Sequence, residues 1–260
     1  MEPTERRNLI FHETKPIEMK DLFSTQSDQY ARYRPSYPTE LIDFILDLVP
    51  EKLTAWDCGA GSGQITQPLA PHFQEIIATD ISELQLQMAP KLSNVSYLVQ
   101  PAESTTIKSN SIDLIIVAQA IHWFNFEQFY KEAKRVLKPN GVMVVTGYGL
   151  VRVNDPINEV IDQFYSSIQN YWEPERKYID EHYQTIPFPF NEINAPSFHF
   201  QVEWQLDHFI QYINTWSAIK YMKSQIMEDP TRQLYDQLLP LWNSEITATF
   251  PTLLRVGYVN

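Results

Sequence analysis

The chain carries one cysteine in 260 residues, Cys58, so no disulfide can form within it and a cluster of thiolate metal ligands is excluded. A lone thiol fits a reducing compartment. No apolar run approaches the roughly 18 residues that a membrane span needs. In the opening stretch, MEPTERRNLIFHETKP, charge interrupts every apolar run, which leaves no secretory signal core. A cytoplasmic protein is expected. Basic residues are also few, with 20 Lys and Arg against 32 Asp and Glu and a formal net charge of −12. No Lys/Arg block concentrates them, so phosphate backbones and anionic lipid surfaces are repelled, and neither nucleic acid nor membrane is an expected partner. Glycine is scarce too, yet three of the seven glycines fall at Gly59, Gly61 and Gly63. Glycine is the costliest residue to hold still, so that crowding implies a backbone conformation or a close contact that a β-carbon would forbid.

What is present is a globular composition: 43% hydrophobic and 20% charged residues, 18 dispersed prolines and no internal repeat. The length suits one domain with an added subdomain. TELIDFILDLVP reads as a helix, with Leu41, Ile42, Ile45, Leu48 and Val49 at helical spacing behind Thr39 as N-cap. LTAWDC is a short strand running into the glycines, and GQITQPLAPHF a helix with Pro68 and Pro71 in or near its first and last turns. EIIATD, VSYLVQ, SIDLIIVAQ and GVMVVTGYG read as further strands. SELQLQMAPKL, capped by Ser82, and FEQFYKEAKRVLKPNG, stopped by Pro139 to Gly141, read as helices. Strands separated by helices imply an α/β fold, a parallel sheet covered on both faces. Ligands of such sheets collect at the carboxyl ends of the strands. Here those ends bring Asp57, Asp80, Gln100 with Ala102 and Glu103, Ala118 with Gln119, and Tyr148.

The first strand delivers Asp57 and the glycine turn to a helix N-terminus, whose unpaired amides favour an anion. A carboxylate directly before the turn would oppose a pyrophosphate and suits a ligand that brings an ammonium group. Asp80, about twenty residues on, stands where an acid accepts hydrogen bonds from a ribose diol. Together the two acids describe an adenosyl group joined to an amino acid, which is S-adenosylmethionine. A nicotinamide-dependent oxidoreductase is the competing reading, because a glycine turn with a downstream acid also serves NAD(P). Asp57 and the G-x-G-x-G spacing stand against it.

WDCGAGSG, IIATDIS, VQPAEST, SIDLIIVAQAIHWF and EAKRVLKPNGVMVV, in that order and spacing, resemble the class I S-adenosylmethionine-dependent methyltransferases over about residues 30 to 150. QYARYRPSYP and AQAIHWF are similar to the small-molecule branch that contains trans-aconitate-type and cantharidin-type enzymes. The resemblance implies a Rossmann-like, seven-stranded, mostly parallel sheet with an antiparallel closing strand and a helical cap. It also implies cofactor roles for Asp57, Gly59 and Gly61 at the methionine end, Asp80 at the ribose and Ile81 against the adenine. Ala102 and Glu103 would meet the adenine edge, while Ala118 and Gln119 would lie beside the sulfonium. Pro101 stands where relatives often carry Asp, which shifts the adenine contact toward Glu103. A small-molecule methyl acceptor is implied, with a carboxylate or hydroxyl oxygen as the accepting atom, and the protein is expected as a monomer or homodimer. A protein that binds the cofactor without catalysis is the remaining alternative.

His122, after the fourth strand, is the candidate proton acceptor, since an imidazole titrates near neutrality. Trp123 beside it and Tyr148 are candidate walls of the acceptor pocket. SDQYARYRPSYP places Tyr30, Tyr33 and Arg34 in extended backbone able to close over a pocket, and Arg34 is a candidate to grip a carboxylate of cofactor or substrate. The expected division is a lid segment over 1–38, a cofactor-binding core over 39–150, a helical cap over 151–196, and strands and helices completing the core over 197–260. Tyr165, Tyr171, Trp172 and Tyr178 in the cap, with Trp216, are candidate pocket aromatics. FHFQVEWQLD and ITATFPTLLRVGYV read as late strands, HFIQYINTWSAIKYMKSQI and PTRQLYDQLLPLWNSE as helices.

Overall fold

A computed structural model describes residues 33–225 and 229–259. Tyr30 and most of the segment assigned to a lid therefore lie outside the described residues. α1 (Thr39–Leu48) buries Leu41, Ile42, Ile45 and Leu46, as its periodicity requires. Thr39 is its first helical residue rather than its cap: Pro38 precedes it in extended backbone, and no side chain caps the helix. β1 (Thr54–Cys58), β2 (Glu75–Asp80), β3 (Val95–Val99), β4 (Ile112–Ala118) and β5 (Leu137–Tyr148) pair in parallel. The strand order is β3-β2-β1-β4-β5-β8-β6, with β8 (Ile246–Tyr258) antiparallel to β5. The chain reverses its direction of travel across the sheet between β1 and β4, and the crevice at such a reversal is where nucleotides bind.

Connecting helices cover the sheet. α2 (Thr66–Leu69) is only four residues long and continues as a 3-10 turn, because Pro68 and Pro71 remove the donors a longer α-helix would need. α3 (Glu83–Gln87) starts at Ser82, whose hydroxyl accepts from the Gln85 amide, and α4 (Phe126–Val136) starts at Asn125, which accepts from Gln128. α4 stops at Val136 rather than at Pro139–Gly141. Leu137 already pairs with Ile112, so β5 takes over where the helix reading continued.

The second half departs further from the sequence reading. α5 (Asp155–Ser167) and α6 (Arg176–Asp180) form as expected. β6 (Asn191–Ile193), between Pro189 and Pro196, pairs with the end of β8 and makes an edge strand that the pattern does not show. β7 (His199–Trp204), the strand read in FHFQVEWQLD, pairs with the first half of β8, and with β6 added the sheet has eight strands where seven were expected. One long helix was expected over 208–226. Instead α7 (Leu206–Asn214) and α8 (Ser217–Gln225) form, with the Thr215 hydroxyl turned back onto the Tyr212 carbonyl at the break. With α9 (Thr231–Leu238) these helices build a second apolar core with Tyr148, Phe200, Trp216 and Phe250. Among the described residues no helix is long and apolar enough to cross a membrane.

Candidate active site

The glycine turn is fastened to the end of β2. The amides of Gly59 and Ala60 both donate to the Thr79 carbonyl, at 2.8 and 2.9 Å. Gly59 sits at φ 74°, and a β-carbon there would stand 2.5 Å from that of Ala120. Gly61 also has positive φ, at 54°, but a β-carbon on it would meet nothing closer than Gln85 Oε1 at 3.8 Å. The first glycine is therefore required by packing, whereas the space over the second is open.

Asp80 flanks that open space. Its Oδ2 accepts from the Gly61 amide and its Oδ1 from the Ser82 amide, each at 2.8 Å, so the carboxylate is oriented by backbone on both oxygens. Ile81, next in the chain, is 39% exposed, an apolar surface at a strand end. Asp57 lies on the other side, fully buried. Its Oδ2 accepts from the Thr66 hydroxyl, while Oδ1 has no partner among the described residues. Burial pushes its carboxyl up to about 7; the Thr66 bond opposes this and the charge of Asp80 adds to it. A buried carboxylate oxygen without a donor is costly, and a ligand ammonium would relieve it.

Ala102 is buried, and Glu103 is half-buried beside it, but one Glu103 oxygen accepts from the Asn125 amide at 2.9 Å and fixes the start of α4. Ala118 ends β4. Gln119, at φ 57°, accepts the Tyr148 amide on Oε1 at 2.9 Å and so laces β4 to β5. It also lines a small cleft of about 50 Å³, bounded also by Arg34, His122, Trp123, Trp172 and Trp216.

Several expected residues stand elsewhere or in another state. His122, on the turn Ile121–Trp123, is buried, and burial followed by the charge of Arg176 lowers its pKa to about 3. It is thus a neutral imidazole, with Nδ1 3.5 Å from the Tyr183 hydroxyl, and a weak base instead of one matched to neutral pH. Tyr148 does not wall the cleft: it is buried against Phe200 and Phe250, and its hydroxyl accepts from Arg34 at 2.8 Å. Tyr33 meets the His208 ring edge-on and is not among the residues lining the cleft. Arg34 does line it, with a second bond to the Thr215 carbonyl at 3.3 Å. Of the expected aromatics, Trp172 and Trp216 reach the cleft; Tyr165 packs behind both, Tyr171 meets Tyr221 and Tyr178 meets Phe126. Glu173, Arg176, Ile179 and Ser217 line the cleft without having been expected. In the sequence only the Arg176–Asp180 spacing marks any of them, and that spacing is common on exposed helix faces.

A doubly wound sheet whose first strand ends in an acid and a glycine turn, with a second acid at the end of the next strand, is the framework of the nucleotide-binding α/β folds. The comparisons with known proteins make this narrower. The family model described as a methyltransferase domain matches residues 56–145. A Dictyostelium discoideum protein named as a methyltransferase is 38% identical over 208 residues, 78% of this chain and 79% of its own length. An uncharacterised methyltransferase of Mycobacterium tuberculosis is 31% identical over 184 residues, covering 70% of this chain and 69% of its own. A solved structure from Anaeromyxobacter dehalogenans, named as a type II methyltransferase, is 35% identical with a TM-score of 0.81, over 87% of this chain and 98% of that one. The chain belongs to the class I S-adenosylmethionine-dependent methyltransferase family. These relatives do not single out the trans-aconitate and cantharidin branch.

Proposed function

We propose that the protein methylates a carboxylate or hydroxyl oxygen of a small molecule, using S-adenosylmethionine, in the manner of the branch its QYARYRPSYP and AQAIHWF segments resemble. The observation that carries this reading is the buried Oδ1 of Asp57, without a partner among the described residues, ahead of a glycine turn that is open at Gly61 and bonded there to Asp80. When bound, the sulfonium supplies a methyl group that is already activated. Asp57 would hold the ammonium, Asp80 the ribose diol and Ile81 the adenine face. Gln119, fixed by its bond to Tyr148, would border the reacting space. Trp123, Trp172 and Trp216 would exclude water and hold the acceptor near attack distance. A carboxylate acceptor has no proton to lose, and the neutral, weakly basic His122 suits it better than a hydroxyl. Residues 151–196 would act as the cap that supplies Trp172.

Isothermal titration with S-adenosylhomocysteine and with NAD tests the cofactor, and methyl-labelled S-adenosylmethionine in metabolite extract tests transfer. Binding of NAD alone would overturn the reading, and tight cofactor binding with no transfer to any metabolite would leave a sensor protein. Asp80→Ala is expected to weaken S-adenosylhomocysteine by about 1 to 3 kcal/mol, the scale of hydrogen bonds to a charged acceptor. An unchanged dissociation constant would put the ribose elsewhere. His122→Ala should leave that constant within about twofold and lower turnover, and His122→Gln should restore part of it. The wild-type rate should show no inflection from this imidazole between pH about 5 and 8. An inflection near pH 6.5 that His122→Ala removes would show that it titrates after all.

A further inference from the structure

The chain carries a net charge of −12, yet its cleft wall holds two guanidinium groups, Arg34 and Arg176, against one carboxylate, Glu173. Arg34 is committed to Tyr148 and Thr215. Arg176 is held from one edge only. Its Nε donates to the Tyr165 hydroxyl at 2.9 Å and to Asp180 Oδ1 at 3.1 Å, and its guanidinium carbon lies 4.5 Å from the centre of the Trp172 ring. The side chain is 15% exposed, while Asp180 is 45% exposed and offsets the charge from the solvent side. Among the described residues neither Nη1 nor Nη2 has a hydrogen-bond partner. That free edge of the fork has the geometry to meet a planar oxyanion with two parallel bonds.

Two further observations point the same way. The indole Nε1 of Trp172, in the same wall, is a buried donor with no acceptor among the described residues. Lys220, one turn along α8 from Ser217, is held below its ordinary value by burial and then by the charge of Arg34, so the positive charge of Arg34 is felt on that side of the cleft. A buried donor without an acceptor costs free energy in a cleft, and a bound oxyanion would offset it.

We propose that Arg176, with the Trp172 indole N–H, reads an oxyanion on the methyl acceptor, so that the acceptors are small carboxylic acids. The inference rests on the methyltransferase reading above. Arg176 is a specificity residue.

The test uses protein saturated with S-adenosylhomocysteine and three matched probe pairs, benzoate and benzamide, trans-cinnamate and its amide, hexanoate and its amide, with benzylamine as the cationic control. Binding is followed by calorimetry and ligand-observed NMR for the wild type, Arg176→Gln and Arg176→Lys. In the wild type at least one acid should bind about tenfold or more tightly than its amide, as expected for a charge-assisted bidentate contact. In Arg176→Gln that ratio should fall to about one, and in Arg176→Lys part of it should return, with the affinity for S-adenosylhomocysteine unchanged in both. No acid favoured over its amide in the wild type, a preference that survives Arg176→Gln, or a preference for benzylamine would each overturn the proposal. The first titration, of S-adenosylhomocysteine into the wild type, judges the methyltransferase reading separately, and the acid–amide comparison is repeated without it.

Discussion

Asp57→Asn is expected to raise the thermal midpoint of the ligand-free protein at pH 8 and to weaken S-adenosylmethionine by about 10- to 100-fold, the loss of a charge-assisted bond to a buried group. The Asp57 carboxyl titrates at about 7 in the folded chain against 3.8 for the unperturbed group. Between those two values the folded protein holds a proton that the unfolded chain has released, so stability falls as pH rises through that window, and the full cost of the charge is carried above pH 7. Asparagine keeps an oxygen for the Thr66 hydroxyl and carries no charge, so its stabilising effect should be large at pH 8 and small at pH 5. Scanning fluorimetry at the two pH values measures this, and equal shifts at both would mean that Asp57 does not titrate in the folded state. The same carboxyl must ionise to hold an ammonium group. Cofactor affinity should therefore climb with pH up to about 7. Calorimetry at pH 6 in buffers of different ionisation enthalpy should register proton release, and its absence would detach Asp57 from the methionine end.

Gly59→Ala is expected to destabilise the fold by about 2 to 5 kcal/mol, combining a left-handed backbone at a residue with a side chain and an overpacked contact. At φ 74° the new β-carbon would press on Ala120 at 2.5 Å and on the Phe124 ring at 3.3 Å, and both neighbours belong to the stretch that carries His122. The midpoint should drop by roughly 4 to 20 °C for a domain of this size. Gly61→Ala provides the contrast. Its φ is also positive, but the space over it is open, so only the backbone cost of about 1 to 2 kcal/mol applies. Denaturant unfolding of both variants decides the point: if Gly61→Ala destabilises as much as Gly59→Ala, the Ala120 contact is not what forbids a side chain at Gly59.

The order of β1 to β5 and their helices was legible because each apolar run follows the period of its own element and each turn has its own breaker. The half of the sheet built on β8 was less so. β8 pairs with β7 along its first half and with β5 and β6 along its second, and no local pattern announces that one strand will serve three partners. The acids at the glycine turn could be read from spacing alone, because a βα unit fixes where its strand ends. The cleft could not. Arg34 meets the carbonyl of Thr215, 181 positions away, and Arg176 comes from a short helix whose sequence resembles a solvated surface.

The amino-acid sequence by itself determined the α/β alternation, the glycine turn and the pair of acids around it, since these depend on neighbours a few residues apart and on chain stereochemistry. Only the tertiary structure decided that His122 is neutral, that Tyr148 holds Arg34 rather than a ligand, and that Arg176 faces the cleft. Those outcomes are set by desolvation and by contacts between distant segments, and neither exists until the chain has packed.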